Sequence, residues 1–122
     1  MKRPRDPGLD ILLDLDGQTF FVDEAGHYRV KFEIRKVEVS AARPHGLRYA
    51  LTLHDAEGRR LIGFDNAHPV AAGRGPGRAV PSAHDHRHRL RSLQPYAYRD
   101  ATALLEDFWA EVDAVLREKG VL

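Results

Sequence analysis

Between residues 28 and 65 apolar side chains recur at every second position, and few folds accept that period. Tyr28, Val30, Phe32 and Ile34 alternate with Arg29, Lys31, Glu33 and Arg35. Leu47, Tyr49, Leu51 and Leu53 alternate with Arg48, Ala50, Thr52 and His54. Successive side chains of a strand point to opposite faces, so each run predicts a strand with one apolar side and one polar side. Arg43-Pro44-His45-Gly46 interrupts the two, because proline and glycine punctuate and the residue before proline is held extended. Asp55-Ala56-Glu57-Gly58 reads as a hairpin loop leading into a further strand, Arg60 to Asp65. Short connections make neighbouring strands antiparallel, which stacks the alternation into one apolar sheet face and one basic one.

The flanks are read with the same tools. Leu9, Ile11, Leu13 and Leu15 alternate with Asp10, Asp14 and Asp16, which predicts a strand over residues 9 to 16 ended by a turn at Asp16-Gly17. Thr19 to Val22 predicts a short strand, and Asp23-Glu24-Ala25-Gly26 the loop after it. Residues 66–98 carry Pro69, Gly73, Gly75, Pro76, Gly77, Pro81 and Pro95 and read as one long basic, histidine-rich loop. From 99 to 120 the period changes. Asp100 is placed to cap a helix, Leu104, Leu105, Phe108, Trp109, Val112, Val115 and Leu116 form an apolar stripe, and Gly120 ends it. The expectation is an α+β fold: an antiparallel meander of about four to five strands in residues 1–65, packed on one C-terminal amphipathic helix. At 122 residues one domain, 1–122, is expected.

Composition narrows the class. No apolar run approaches the length of roughly 20 residues that crosses a bilayer. Met1-Lys2-Arg3-Pro4-Arg5-Asp6-Pro7 is not followed by the apolar core of a signal peptide, so a soluble, cytoplasmic protein without membrane partners is expected. The absence of cysteine removes disulfides and thiolate zinc sites. Net charge is only +1, but it is unevenly distributed. Residues 28–65 hold eight Lys/Arg against five Asp/Glu and residues 66–99 six against one, whereas 100–122 hold two against six. Either the acidic helix balances the basic middle internally, or that middle forms a polyanion-binding surface.

Four of the seven histidines, His68, His84, His86 and His88, fall in the long segment. In extended backbone His84, His86 and His88 point one way, with Asp85 and Arg87 opposite. Imidazole titrates near neutrality and serves as acid, base or metal ligand. His84, His86 and His88, with Asp65, could approach one cation, but Arg87, Arg89 and Arg91 would repel it; no metal or other cofactor is expected. If the strand ending at Phe64-Asp65-Asn66 returns this segment over the polar face, histidines meet Arg29, Lys31, Arg35 and Arg48. Metal-free RNA cleavage needs a base for the 2′-hydroxyl, an acid for the leaving oxygen and cations for the phosphorane charge, and this set holds all three. Tyr96 and Tyr98 add faces on which bases stack.

Taken in order, Gly63-Phe64-Asp65-Asn66, Asp85-His86-Arg87-His88, the aromatics Tyr96 and Tyr98, and Leu104-Leu105-Glu106-Asp107-Phe108-Trp109 resemble the motifs of the small TumE-type toxins of bacterial toxin–antitoxin modules. The likeness runs over most of the chain. It departs from the family between the Asp-Asn and Asp-His motifs, where a short Gly-Lys-Gly link is usual and residues 67–84 intervene here, with Gly73-Arg74-Gly75 the nearest likeness. The resemblance implies a toxin that acts on RNA and is neutralised by a neighbouring helix-turn-helix, DNA-binding antitoxin, as in a type II module. The resulting expectation is an mRNA interferase-like ribonuclease. His86 and His88 are its acid/base candidates, Asp65 orients one of them, Arg48 and Arg87 bind phosphate, and Arg29, Lys31, Arg35 and Tyr96 hold RNA. The rivals are a noncatalytic RNA- or protein-binding module and a metal-dependent enzyme using the histidine cluster.

Overall fold

The computed structural model describes residues 8–41, 43–66, 69–71, 79–83, 85–89 and 92–121. Helix α1 (Leu9–Asp14) is followed by strands β1 (Thr19–Phe21), β2 (Arg29–Lys36), β3 (Leu47–His54) and β4 (Arg60–Asp65). A separate hairpin, β5 (Pro69–Ala71) and β6 (Ala79–Ala83), precedes β7 (His86–Arg89), β8 (Ser92–Pro95) and helix α2 (Ala101–Glu118). The main sheet has six antiparallel strands in the order β1-β2-β3-β4-β7-β8, so it is a meander with β5 and β6 set aside between β4 and β7.

Register turns the alternation of the sequence into two faces. Val30 pairs with Leu53, Phe32 with Leu51 and Ile34 with Tyr49, while Leu51 and Leu53 meet Phe64 and Ile62 on the other side. All of these are buried, as are Leu104, Phe108, Val112, Val115 and Leu116 of α2. Phe108 is the keystone: its ring lies edge-on to Phe32 at 5.6 Å and to Phe64 at 6.0 Å. This aromatic geometry places a positive ring edge on a negative face. Helix α2 starts where Asp100 Oδ1 accepts the Ala103 N–H at 2.7 Å, which satisfies a donor that the first turn would leave unpaired. It ends in a Schellman motif, with Gly120 at φ +75 and the Val121 N–H donating to the Leu116 carbonyl at 2.8 Å.

Two expectations are corrected. Residues 9–16 do not form a strand. Leu12 is fully buried and Ile11 is 60% exposed, the reverse of what a two-residue period would do, and the segment is the single-turn-and-a-half helix α1. Alternation of Leu9, Ile11, Leu13 and Leu15 is equally compatible with i, i+4 spacing, and close contact with α2 decides the matter. A Cβ on Gly8 would lie 2.6 Å from the Thr102 backbone nitrogen, so only glycine permits that approach. The second correction concerns 66–98, which is not one loop but carries four strands, two of them in the main sheet. Its prolines sit where strands tolerate them: Pro95 is in the sheet's edge strand β8, and Pro69 and Pro81 are in a two-stranded hairpin.

Candidate functional site

The face of the sheet turned away from α2 is polar, and strand register assembles it. Arg35 stands directly opposite Arg48, Lys31 opposite Thr52, and Arg29 opposite His54. A register shift at Leu53/His54 pairs His54 with Arg60, and this irregularity carries Arg60 onto the same face. Ala50 faces Asp65, and beyond β4 Gly63 faces His88 while Asp65 faces His86. The result is a depression of about 340 Å³ whose polar lining is Asp16, Glu33, Arg35, Arg48, Thr52, Arg60 and Asp65.

Two features of this face bear on chemistry. Like charges directly opposite in a sheet destabilise it, so the Arg35–Arg48 pair suits an anion better than an empty surface. Among the described residues Lys31, Arg35, Arg48 and Arg60 enter no salt bridge. At the edge of the depression His88 Nε2 lies 3.4 Å from Asp65 Oδ2, with both side chains largely buried. Gly63 makes room there: the position of a Cβ on it is already approached to 3.3 Å by the stem of Arg60, whose guanidinium lies over the strand. His54 completes the row. Its Nε2 faces Thr52 Oγ1 at 2.9 Å and its Nδ1 the Gly58 carbonyl at 3.3 Å. Burial lowers its pKa, the charges of Arg29, Lys31 and Arg60 lower it further, and the Gly58 bond only partly opposes them.

The expected site residues divide between the two sides of the sheet. Lys31, Arg35, Arg48, Asp65 and His88 share the polar face, and the backbone of His86 is in register with Asp65. Arg29 lies at its rim, donating to the Asp55 carbonyl at 3.3 Å. Arg87 goes the other way, donating to Gln94 Oε1 at 2.6 Å and pairing with Glu111 of α2 at 3.4 Å. Arg89 similarly meets Glu118 at 2.5 Å. Part of the basic middle is thus matched by the acidic helix, while the arginines of the polar face are not. Tyr96 also lies on the helix side, against Phe64 at 5.0 Å and donating to Asp107 Oδ2 at 2.6 Å. Burial, then the Asp107 carboxylate, pushes its phenol pKa up. His84, His68 and residues 72–78 lie outside the described residues; among the described ones no group of three metal-ligating side chains converges.

Sequence reasoning missed a cluster at the start of β7. Asp85, the first residue of Asp-His-Arg-His, accepts the Tyr49 hydroxyl at 2.6 Å and faces His45 Nε2 at 2.9 Å. The Leu47 N–H donates to His45 Nδ1 at 3.3 Å. With Nδ1 an acceptor, the ring proton is assigned to Nε2, toward Asp85. Tyr98 covers the imidazole, with ring centroids 4.2 Å apart. Burial, then the Asp85 charge and bond, holds the Tyr49 phenol far above its ordinary pKa and therefore always a donor. Asn66 secures the neighbouring strand, accepting the Tyr49 N–H at 2.9 Å and donating to the Leu47 carbonyl at 2.7 Å. Asp65 directly precedes Asn66 and His86 directly follows Asp85, so this cluster fixes the two strands that deliver them. A signal for it exists in the sequence: an acid directly before His86, and a tyrosine on a strand's apolar side, whose hydroxyl needs a partner when buried.

These observations define a class: a meander sheet covered on one face by a helix and carrying arginines and a histidine–carboxylate pair on the other. Residues 15–116, most of the chain, match the family model described as Toxin TumE. The chain belongs to the TumE toxin family, and it is therefore the toxin component of a toxin–antitoxin system, which implies an antitoxin partner. Comparison with curated proteins and with solved structures returned no match. Among the described residues no helix is long and apolar enough to cross a membrane.

Proposed function

We propose that the polar face binds and cleaves RNA, making the protein a metal-independent, mRNA interferase-like ribonuclease of a type II module whose antitoxin is a DNA-binding helix-turn-helix protein. The observation that carries this reading is the placement of the Arg35–Arg48 pair and the Asp65–His88 pair on one face. Arg48 and Arg35, with Arg60, hold the scissile phosphate and take up the charge that builds on its oxygens. His88, oriented by Asp65, removes the proton of the 2′-hydroxyl as that oxygen attacks phosphorus. His86, in register with Asp65, returns a proton to the departing 5′-oxygen, leaving a 2′,3′-cyclic phosphate and a 5′-hydroxyl. The two histidines can exchange these roles. Lys31 and Arg29 hold the strand beyond the cleaved bond. Arg87 and Tyr96 take no part in this scheme, because their contacts lie on the helix side.

The test is cleavage of single-stranded RNA by purified protein, with and without chelator. Cleavage that survives chelation and falls by about 10² or more in His88→Ala supports the reading. Activity lost only with chelator indicates a metal enzyme, and RNA binding without cleavage in either condition leaves a binding module.

A further inference from the structure

A second surface, remote from the polar face, is built differently. Helices α1 and α2 converge at Gly8 and Thr102 and leave between them a groove of about 580 Å³. Its floor is Ile11, Leu105 and Trp109, with Ile11 60% and Trp109 38% exposed, a large apolar area to leave in water. Trp109 leans on Phe32 at 6.0 Å, and the partly exposed Phe20 leans on the same ring at 6.0 Å, so the apolar surface continues onto β1. The wall is acidic. Glu106 and Asp113 line it, and among the described residues no Lys or Arg does and neither acid enters a salt bridge.

We infer that this groove is a protein-docking site whose occupant is a cationic amphipathic helix of a partner protein. Three physical points select that occupant. The groove is walled by two helices that satisfy their own backbone bonds, so an added strand would find no ladder to join, whereas a helix brings its backbone already paired. The lining of α2 runs from Thr102 to Asp113. At a rise of about 1.5 Å per residue it spans about 16 Å, enough for apolar anchors at i, i+3 or i+4, and i+7 of an incoming helix. Glu106 and Asp113 favour Lys or Arg beside those anchors, and they disfavour a second copy of this chain, since symmetric pairing would set each acidic wall against its like. The inference stands apart from RNA cleavage, because none of these residues lies on the polar face.

Trp109 is the single tryptophan of the chain and reports from the groove itself. The probe is a synthetic, tryptophan-free peptide, five helical turns long, with leucines at helical spacing and lysines elsewhere. Two control peptides accompany it: one of the same composition in scrambled order, and one with glutamate in place of lysine. Titration of the full chain with the first should give a saturable blue shift of Trp109 emission, with binding about 10-fold tighter than for the acidic peptide and no saturable shift for the scrambled one. In folded Ile11→Asp, checked first by circular dichroism, affinity should drop by about 10-fold or more. Glu106→Lys with Asp113→Lys should reverse the preference between lysine and glutamate peptides. The inference is overturned by the absence of a saturable shift, by an equal response to the scrambled peptide, or by an unchanged preference in the charge-reversed protein. It is also overturned if sedimentation shows a dimer that Ile11→Asp dissolves, which would make a second copy the occupant.

Discussion

The two faces of this sheet are made by the same strands yet obey opposite rules. Toward α2, every second side chain of β2 to β4 is apolar and buried, and the surface is closed by Phe108 and its neighbours. Away from α2 the intervening residues place Arg35 against Arg48 and Lys31, Arg60 and His54 nearby, an arrangement that self-repels. A strand period of two lets one face carry stability while the other holds charges that no stable fold requires. Substitutions should therefore separate cleanly by parity.

The largest effect belongs to the closed face. Phe108 is a fully buried ring that bridges Phe32 and Phe64. Phe108→Ala should cost about 3–5 kcal/mol in urea unfolding, with toxicity lost through loss of fold, and an effect below about 1 kcal/mol would mean that the helix is not the lid of the core. Next is the position where the faces communicate. Tyr49→Phe deletes the donor to Asp85 at the start of β7. It leaves a half-buried carboxylate with one partner fewer, which should cost about 1–3 kcal/mol. Because Asp85 precedes His86, this variant should lose RNA cleavage, if the polar face cleaves, by more than its unfolded fraction explains. Activity tracking stability alone would break the proposed link between cluster and site.

How much of this is legible in the sequence follows the same division. The parity of Arg29 to Arg35 and Arg48 to His54 is readable because apolar residues hold every second position there. Residues 9–16 mislead because a two-residue and a four-residue period coincide over four apolar positions, and only burial of Leu12 distinguishes them. Strands β7 and β8 are hidden because they are polar and proline-bounded, and their identity depends on pairing with β4. Of the site, Asp65 and His88 stand out by their motifs, whereas the orientation of Arg87 depends on the helical Glu111, 24 residues away in sequence. The Asp85 cluster joins His45 and Tyr49, Asp85, and Tyr98 from three separate stretches of chain; the acid before His86 and the tyrosine on the apolar side of β3 hint at it, but their pairing depends on the tertiary fold.

The open face should respond to substitution in binding, not in stability. Arg35 and Arg48 form a like-charge pair across β2 and β3. Replacing either by alanine relieves that pair on an exposed surface, so unfolding free energy should move by under about 0.5 kcal/mol. RNA affinity should fall in both, and the slope of log affinity against log salt should become shallower by about 1 for each arginine that contacts a phosphate. Filter binding across a salt series measures this. If both variants bind with the wild-type slope, the face does not hold a polyanion and the parity argument explains the fold alone.

The smallest effect is the pH response of His54, and it sharpens the contrast most. Its folded pKa is lowered by burial and then by Arg29, Lys31 and Arg60, while the unfolded chain keeps the ordinary value of about 6.5. As pH falls through that window the unfolded state binds a proton first, so stability declines with falling pH and levels off once the folded pKa is passed. A bound polyanion acts in the opposite sense. Its phosphates screen the neighbouring cations, raise the His54 pKa toward or above the ordinary value, and so couple RNA binding to proton uptake. The imidazole proton resonance should therefore titrate below the ordinary value in the free protein and move upward with RNA present, and His54→Gln should remove that component of the pH dependence of binding. A free-protein midpoint at or above the ordinary value would show that the cations on this face do not act together. An unshifted midpoint in saturating RNA would place the ligand elsewhere.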